Sequence, residues 1–222
     1  MAAVIRPLSE RVMASQLEDE FPVEYQEVRH RAPDGELHIA DVKTKSGVVL
    51  EFQHSAITPQ ARASRERFYG RMVWVASGTR LKRDLPTFRE ALVLAPAAIT
   101  DHLALVLPVD GSAIIERWRG SRCPVYLDFG NEHIGIPGLS SKPILWRLHF
   151  RIGDVVATPI SRSSFIEHHR GCAPLRGYRR RVIVPYRRSD IWPRRRRGGR
   201  DSEVVGLLSQ GSIRGQASLF GR

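Results

Sequence analysis

The stretch Leu37-His38-Ile39-Ala40-Asp41-Val42-Lys43-Thr44-Lys45-Ser46-Gly47-Val48-Val49-Leu50-Glu51-Phe52-Gln53 reads as a β-hairpin. Its arms, Leu37 to Thr44 and Val48 to Gln53, flank the three-residue loop Lys45-Ser46-Gly47, which has glycine where the backbone turns left-handed. With that loop Thr44 faces Val48, and the same register along an unbulged ladder sets Asp41 directly opposite Glu51. Opposed residues of an antiparallel pair have Cβ atoms about 5 Å apart, so two carboxylates meet at one spot. They repel unless one is protonated or a cation lies between them, and oxygen donors of this kind suit Mg²⁺ or Mn²⁺. Period two puts Gln53 on the face of Glu51, while Leu50 and Phe52 point toward a core. The same alternation turns His38 away from Asp41, so that His38 reaches the site only through a bulge. The plain alternative is that Asp41 and Glu51 are ordinary exposed residues of a hairpin face.

Upstream, Leu8, Val12, Leu17 and Phe21 recur at helical spacing from Pro7, with Ser9 as N-cap and Pro22 as stop. Val23 to His30 reads as a first strand, and Ala32-Pro33-Asp34-Gly35 as a turn. Downstream, Thr58 caps a helix that has Pro59 at its first position and stops at Gly70, followed by a buried strand over Met72 to Ala76. The element order is therefore α-β-β-β-α-β. A further helix is expected from near Pro86 to Leu94, and further strands at Leu103 to Val109, Ala113 to Trp118, Pro124 to Phe129 and Ile144 to Phe150. The fold class is α/β.

The motif series His38-x-Ala40-Asp41-Val42, Glu51-Phe52-Gln53-His54-Ser55-x-Ile57-Thr58, Arg65 and Phe68-Tyr69-Gly70 ahead of Val73-Trp74-Val75 resembles the competence protein CoiA-like nucleases. Those proteins belong to the PD-(D/E)XK superfamily, whose core has this same α-β-β-β-α-β order. The likeness spans residues 23 to 78, with a weaker echo in Trp118 and Pro124 to Gly130. It implies that Asp41 and Glu51 hold a catalytic metal, helped by the Phe52 carbonyl and by an upstream acid. Glu27 is placed to be that acid, with Glu24 and Glu20 as competitors. It further implies a site role for His38. Gln53 stands where the superfamily commonly has lysine. An amide cannot act as a cation, but it can orient an attacking water. Arg65 and Tyr69, four apart on one helix face, are positioned to meet substrate phosphates or to brace the acids. Arg62 reads as part of a solvated helix face, Trp118 and Trp146 as core, and His168, His169 and Cys172 as loop residues.

The 222 residues carry a formal charge of +12, a mean hydropathy of −0.27 and 42% hydrophobic residues. That composition suits a folded globule and excludes disordered and collagen-like chains. Membrane-spanning runs, a secretory leader and the GxxxxGK[ST], GxGxxG, HExxH and GxSxG motifs are all missing, and Cys123 and Cys172 suggest two reduced thiols in a cytoplasmic protein. The charge is concentrated. Arg170 to Arg200 holds 12 Arg and one acid, Asp190, giving +11 and leaving +1 for the other 191 residues. Arg179, Arg180, Arg181, Arg187, Arg188, Arg194, Arg195, Arg196 and Arg197, interleaved with Tyr178, Tyr186 and Trp192, fit a nucleic-acid partner. The chain divides into a nuclease-like core (1–80), strands and a helix that complete the domain (81–175) and an Arg-rich, partly flexible tail (176–222). The expectation is a Mg²⁺- or Mn²⁺-dependent nuclease acting on DNA, single- or double-stranded, with RNA left open and competence-linked DNA processing as the setting. The rival readings are a non-catalytic nucleic-acid-binding protein on the same fold and a structural RNA-associated basic protein.

Overall fold

In the computed structural model the described residues are 17–32, 35–95, 102–132, 134, 139 and 143–178. Eight strands form one mixed sheet: β1 (Gln26–Arg31), β2 (Leu37–Lys43), β3 (Val49–Gln53), β4 (Met72–Ser77), β5 (Leu105–Pro108), β6 (Val125–Asp128), β7 (Ile144–Phe150) and β8 (Asp154–Ser161). Their order is β1-β2-β3-β4-β6-β7-β8-β5. β3, β4 and β6 run parallel, and every other neighbouring pair is antiparallel. The helices are α1 (Pro59–Tyr69), α2 (Asp84–Leu94), α3 (Ala113–Trp118) and α4 (Arg162–His169). None of the described helices is long and apolar enough to cross a membrane.

Strand alternation divides the apolar residues between two clusters. Trp74, Leu127 and Trp146 join Phe88 of α2 and Ile114, Ile115 and Trp118 of α3 on one face. Leu50, Phe52, Val73, Val75 and Tyr126 join Leu17, Phe21 and Phe165 of α4 on the other. The sheet is thus the middle of three layers. The expectations of core roles for Trp118 and Trp146 hold, and both thiols are free.

Local chemistry sets the central hairpin as expected. The Thr44 N–H donates to the Val48 carbonyl at 2.9 Å, Thr44 Oγ1 takes the Val48 N–H at 3.0 Å, and Gly47 has φ of 78°. Pairs Val42↔Leu50 and Lys43↔Val49 carry the expected register. On α1, Thr58 Oγ1 accepts from the Ala61 N–H at 3.1 Å, and Gly70 turns out at φ 65°.

Several expectations need correction. Ala113 to Trp118 is helix rather than strand, because Ile114, Ile115 and Trp118 must all reach one core across a helix face. Val23–Tyr25 is a single 3-10 turn closed by Tyr25 N–H to Pro22 O at 2.9 Å, so β1 starts at Gln26. α2 begins at Asp84, two residues ahead of Pro86, which falls in the first turn where no helical N–H partner is missed. β8 and α4 had no counterpart in the sequence reading. The segment from Arg176 is tied in at its start: Gly177 bridges Ile160, and the Leu103 N–H donates to Tyr178 O at 2.7 Å. Of the helix expected from Pro7 to Phe21, Leu17 and Glu18 are helical and Asp19 and Glu20 form a turn, while residues 7–16 and the arginines from Arg179 onward lie outside the described residues.

Candidate functional site

The β2–β3 ladder stops at Val42↔Leu50, one pair short of Asp41 and Glu51. Leu50 is bonded toward β2, so two residues on the Phe52 N–H points to the same edge. It finds the carboxylate of Asp41 there: Oδ2 accepts the N–H at 2.7 Å. The strands part at this point with the Asp41 side chain between them. The Phe52 carbonyl shares that opened edge, since a strand residue presents N–H and C=O to one side.

The β1–β2 ladder breaks at the same residue. It pairs Gln26↔Val42 and Val28↔Ala40 but omits Glu27↔Asp41, and Glu27 is the one non-glycine described residue at positive φ, 48°. A left-handed non-glycine residue costs on the order of 1 kcal/mol and marks a locally imposed twist. The twist changes which way β2 faces. Val42 packs in one cluster and Ala40, two residues away, in the other. His38 follows Ala40 and comes to lie against α1, its ring 4.3 Å from Phe68 and 5.9 Å from Tyr69. His38 is thus turned by a twist and not by the expected bulge, since the β1–β2 register is the same on either side of the break. Its Nε2 nevertheless meets Glu36 Oε1 at 2.7 Å, so the imidazole lines the neighbourhood without joining the two acids.

Glu51 is 1% exposed. Arg65 Nη1 donates to its Oε2, while its buried Oε1 has no hydrogen-bond partner. Burial first, and the charge of Asp41 second, push the Glu51 pKa up to about 7 against the opposing pull of Arg65 and Tyr69. The Tyr69 hydroxyl is likewise buried without a well-formed hydrogen bond, and burial followed by the Glu51 charge raises its pKa, which keeps the phenol protonated. Two acids, one guanidinium and one phenol thus converge, with Glu51 Oε1 and the Tyr69 hydroxyl both short of a well-formed hydrogen bond.

The other expected members are placed differently. Gln53 donates its amide to Ser55, at 2.9 Å to the carbonyl and 3.0 Å to Oγ, rather than toward Asp41. Glu27 is exposed, as are Glu20 and Glu24, and among the described residues no group of three His, Cys, Asp or Glu converges to hold a metal. The upstream acid is not brought in. Arg62 is a correction: it is buried, donating to the carbonyls of Arg117 at 2.9 Å and Arg119 at 2.8 Å, with its guanidinium 5.5 Å from the Trp118 ring. Its neighbour Glu66, also buried, accepts from Trp74 Nε1, Ser121 Oγ and the Arg122 N–H at 3.0, 2.6 and 3.0 Å. α1 is Pro-Gln-Ala-Arg-Ala-Ser-Arg-Glu-Arg-Phe-Tyr, with no aliphatic stripe. That lack was the available signal that its buried face had to be polar.

The chain matches no family model, curated protein or solved structure.

His168 and His169 end α4 rather than lying in a loop, and Cys172 is exposed. His169 packs 4.4 Å from Phe165, and burial, then His168 and Arg147, lower its pKa to about 4 from 6.5. The unfolded chain takes up this proton first, so stability is full above pH 6.5 and is lost as pH falls toward 4. Relative to His169→Gln, the parent is expected to lose about 3 kcal/mol between pH 7 and 4, measured by urea denaturation. Parallel pH profiles for the two proteins would remove His169 from this role.

Proposed function

We propose that the protein is a metal-dependent nuclease that hydrolyses phosphodiester bonds of DNA, as its resemblance to the CoiA-like branch of the PD-(D/E)XK nucleases implies. One observation carries the reading. Of the three buried carboxylates among the described residues, Asp84 is held by both Arg117 nitrogens and Glu66 by three donors, while Glu51 keeps an orphaned oxygen beside a second acid. Proteins rarely leave a buried charge so poorly matched unless something else completes it. The donors are hard oxygens, as Mg²⁺ or Mn²⁺ prefers. Such an ion would be held by Asp41 and Glu51, with the Phe52 carbonyl on the same opened edge.

Bound there, the ion supplies an acidified water and offsets charge on the phosphate. The residues do the rest. The Phe52 N–H fixes the Asp41 carboxylate in orientation, the fold buries Glu51 away from competing water, and Tyr69 stays a proton donor. Gln53 must leave Ser55 to align a water. Gly177, near the end of the described residues, bridges β8, four strand spacings from β3, or roughly 19 Å. The arginines that follow in the sequence supply the backbone charge to hold a polymer.

Gln53 bonded to Ser55 and Glu51 capped by Arg65 favour a second reading, a nucleic-acid-binding protein that keeps this fold without cleaving. Labelled single- and double-stranded DNA incubated with Mg²⁺, Mn²⁺ or EDTA separates the two. Cutting that EDTA stops is the expected result, whereas DNA retarded but intact under every condition establishes the binder.

A further inference from the structure

We propose that Arg65 is a latch: its guanidinium occupies the oxygen of Glu51 that a divalent cation must take, and yields it when the cation arrives. This rests on the metal-site reading and adds how the site is opened. The side chain of Glu51 is 1% exposed and that of Arg65 is 35% exposed, so the acid is the fixed partner and the arginine the movable one. The manner of the contact points the same way. Arg117 grips Asp84 through two nitrogens and two oxygens, Arg162 spans both oxygens of Asp128, and Arg62 is wedged between two carbonyls. Arg65 donates to Glu51 through Nη1 to a single oxygen. A one-point contact lacks the geometric hold of a fork.

Charge gives the direction of the exchange. One guanidinium offsets one of the two carboxylates, whereas a divalent cation offsets both, so the incoming ion makes Arg65 redundant. Glu51 Oε1 is already without a hydrogen-bond partner, and releasing Oε2 would offer the cation a whole carboxylate. Once freed, the guanidinium stands at the open side of the acids, where a phosphodiester anion would meet it. The first ligand then liberates the residue that the second uses, which couples metal and anionic substrate favourably.

The test is a calorimetric titration of the full chain with Mn²⁺ alone, comparing the parent with Arg65→Gln and Arg65→Lys. With no internal cation to displace, Arg65→Gln should bind Mn²⁺ at least tenfold tighter and show a larger Mn²⁺-induced rise in melting temperature. Arg65→Lys keeps the charge but loses the guanidinium that reaches Oε2, so it should tighten as well. Parent-like affinity in Arg65→Lys assigns any gain in Arg65→Gln to net charge and overturns the latch, as does equal or weaker binding by Arg65→Gln. Asp41→Asn separates the two layers of the argument. If it binds Mn²⁺ as the parent does, the metal site itself is wrong. If it abolishes binding while neither Arg65 variant tightens, the latch alone falls.

Discussion

Glu51→Gln is expected to cut metal-dependent cleavage by on the order of a thousandfold or more, while leaving the metal-free protein at least as stable as the parent at pH 8. The two effects have one cause. The folded state holds the Glu51 carboxyl at a pKa of about 7, above its ordinary 4.5, because the side chain is buried and faces Asp41. A raised carboxyl pKa means that the folded protein binds the proton more tightly than the unfolded chain. Its stability is therefore full below pH 4.5 and declines as pH rises through 7. At pH 8 the ionised carboxylate costs about 3 kcal/mol at most. Glutamine keeps the size and removes the charge, and Arg65, one third exposed, can turn to water. In EDTA the variant should thus gain about 1 to 3 kcal/mol in urea denaturation. A loss of stability together with activity would mark Glu51 as an ordinary structural acid and end the case for a site here.

The hairpin that positions this acid was legible because its instructions are local. A three-residue loop with glycine at the left-handed position leaves one register for Thr44 and Val48, and the rest of the ladder follows. The caps of α1 are equally local, residing in Thr58, Pro59 and Gly70. The twist at Glu27 and Asp41 was not legible, because it is imposed on two strands together and no residue type announces it. With it went the true direction of His38. Pattern also failed where packing outvotes propensity. Ala113-Ile114-Ile115-Glu116-Arg117-Trp118 has the β-branched character of a strand, yet its three large apolar side chains reach one core only if wound as a helix. β8 hid behind Pro159, a residue that argues against a central strand. The β5 ladder covers β8 only from Asp154 to Ala157, so Pro159 falls past the doubly paired part.

Glu66 supplies the contrasting experiment, since it is as buried as Glu51 but fully satisfied. Glu66→Gln should destabilise by about 3 kcal/mol or more, with no compensating gain at any pH. The reason is polarity at both oxygens. Trp74 Nε1 and Ser121 Oγ donate to Oε1 and the Arg122 N–H donates to Oε2, so whichever way the amide turns, its NH₂ opposes a donor. Arg62, 3.8 Å from Oε1 and buried, loses its countercharge at the same time, although two carbonyls still hold its nitrogens. A double-mutant cycle isolates that ionic part: Arg62→Met with Glu66→Leu should cost at least about 1 kcal/mol less than the sum of the single changes, because the pair leaves together rather than stranding one charge. Glu66→Gln within about 0.5 kcal/mol of the parent would show that this cluster does not fasten α1 to β4. The opposite signs expected for Glu51→Gln and Glu66→Gln, two isosteric changes at buried acids touching the same helix, distinguish a carboxylate kept for chemistry from one kept for the fold.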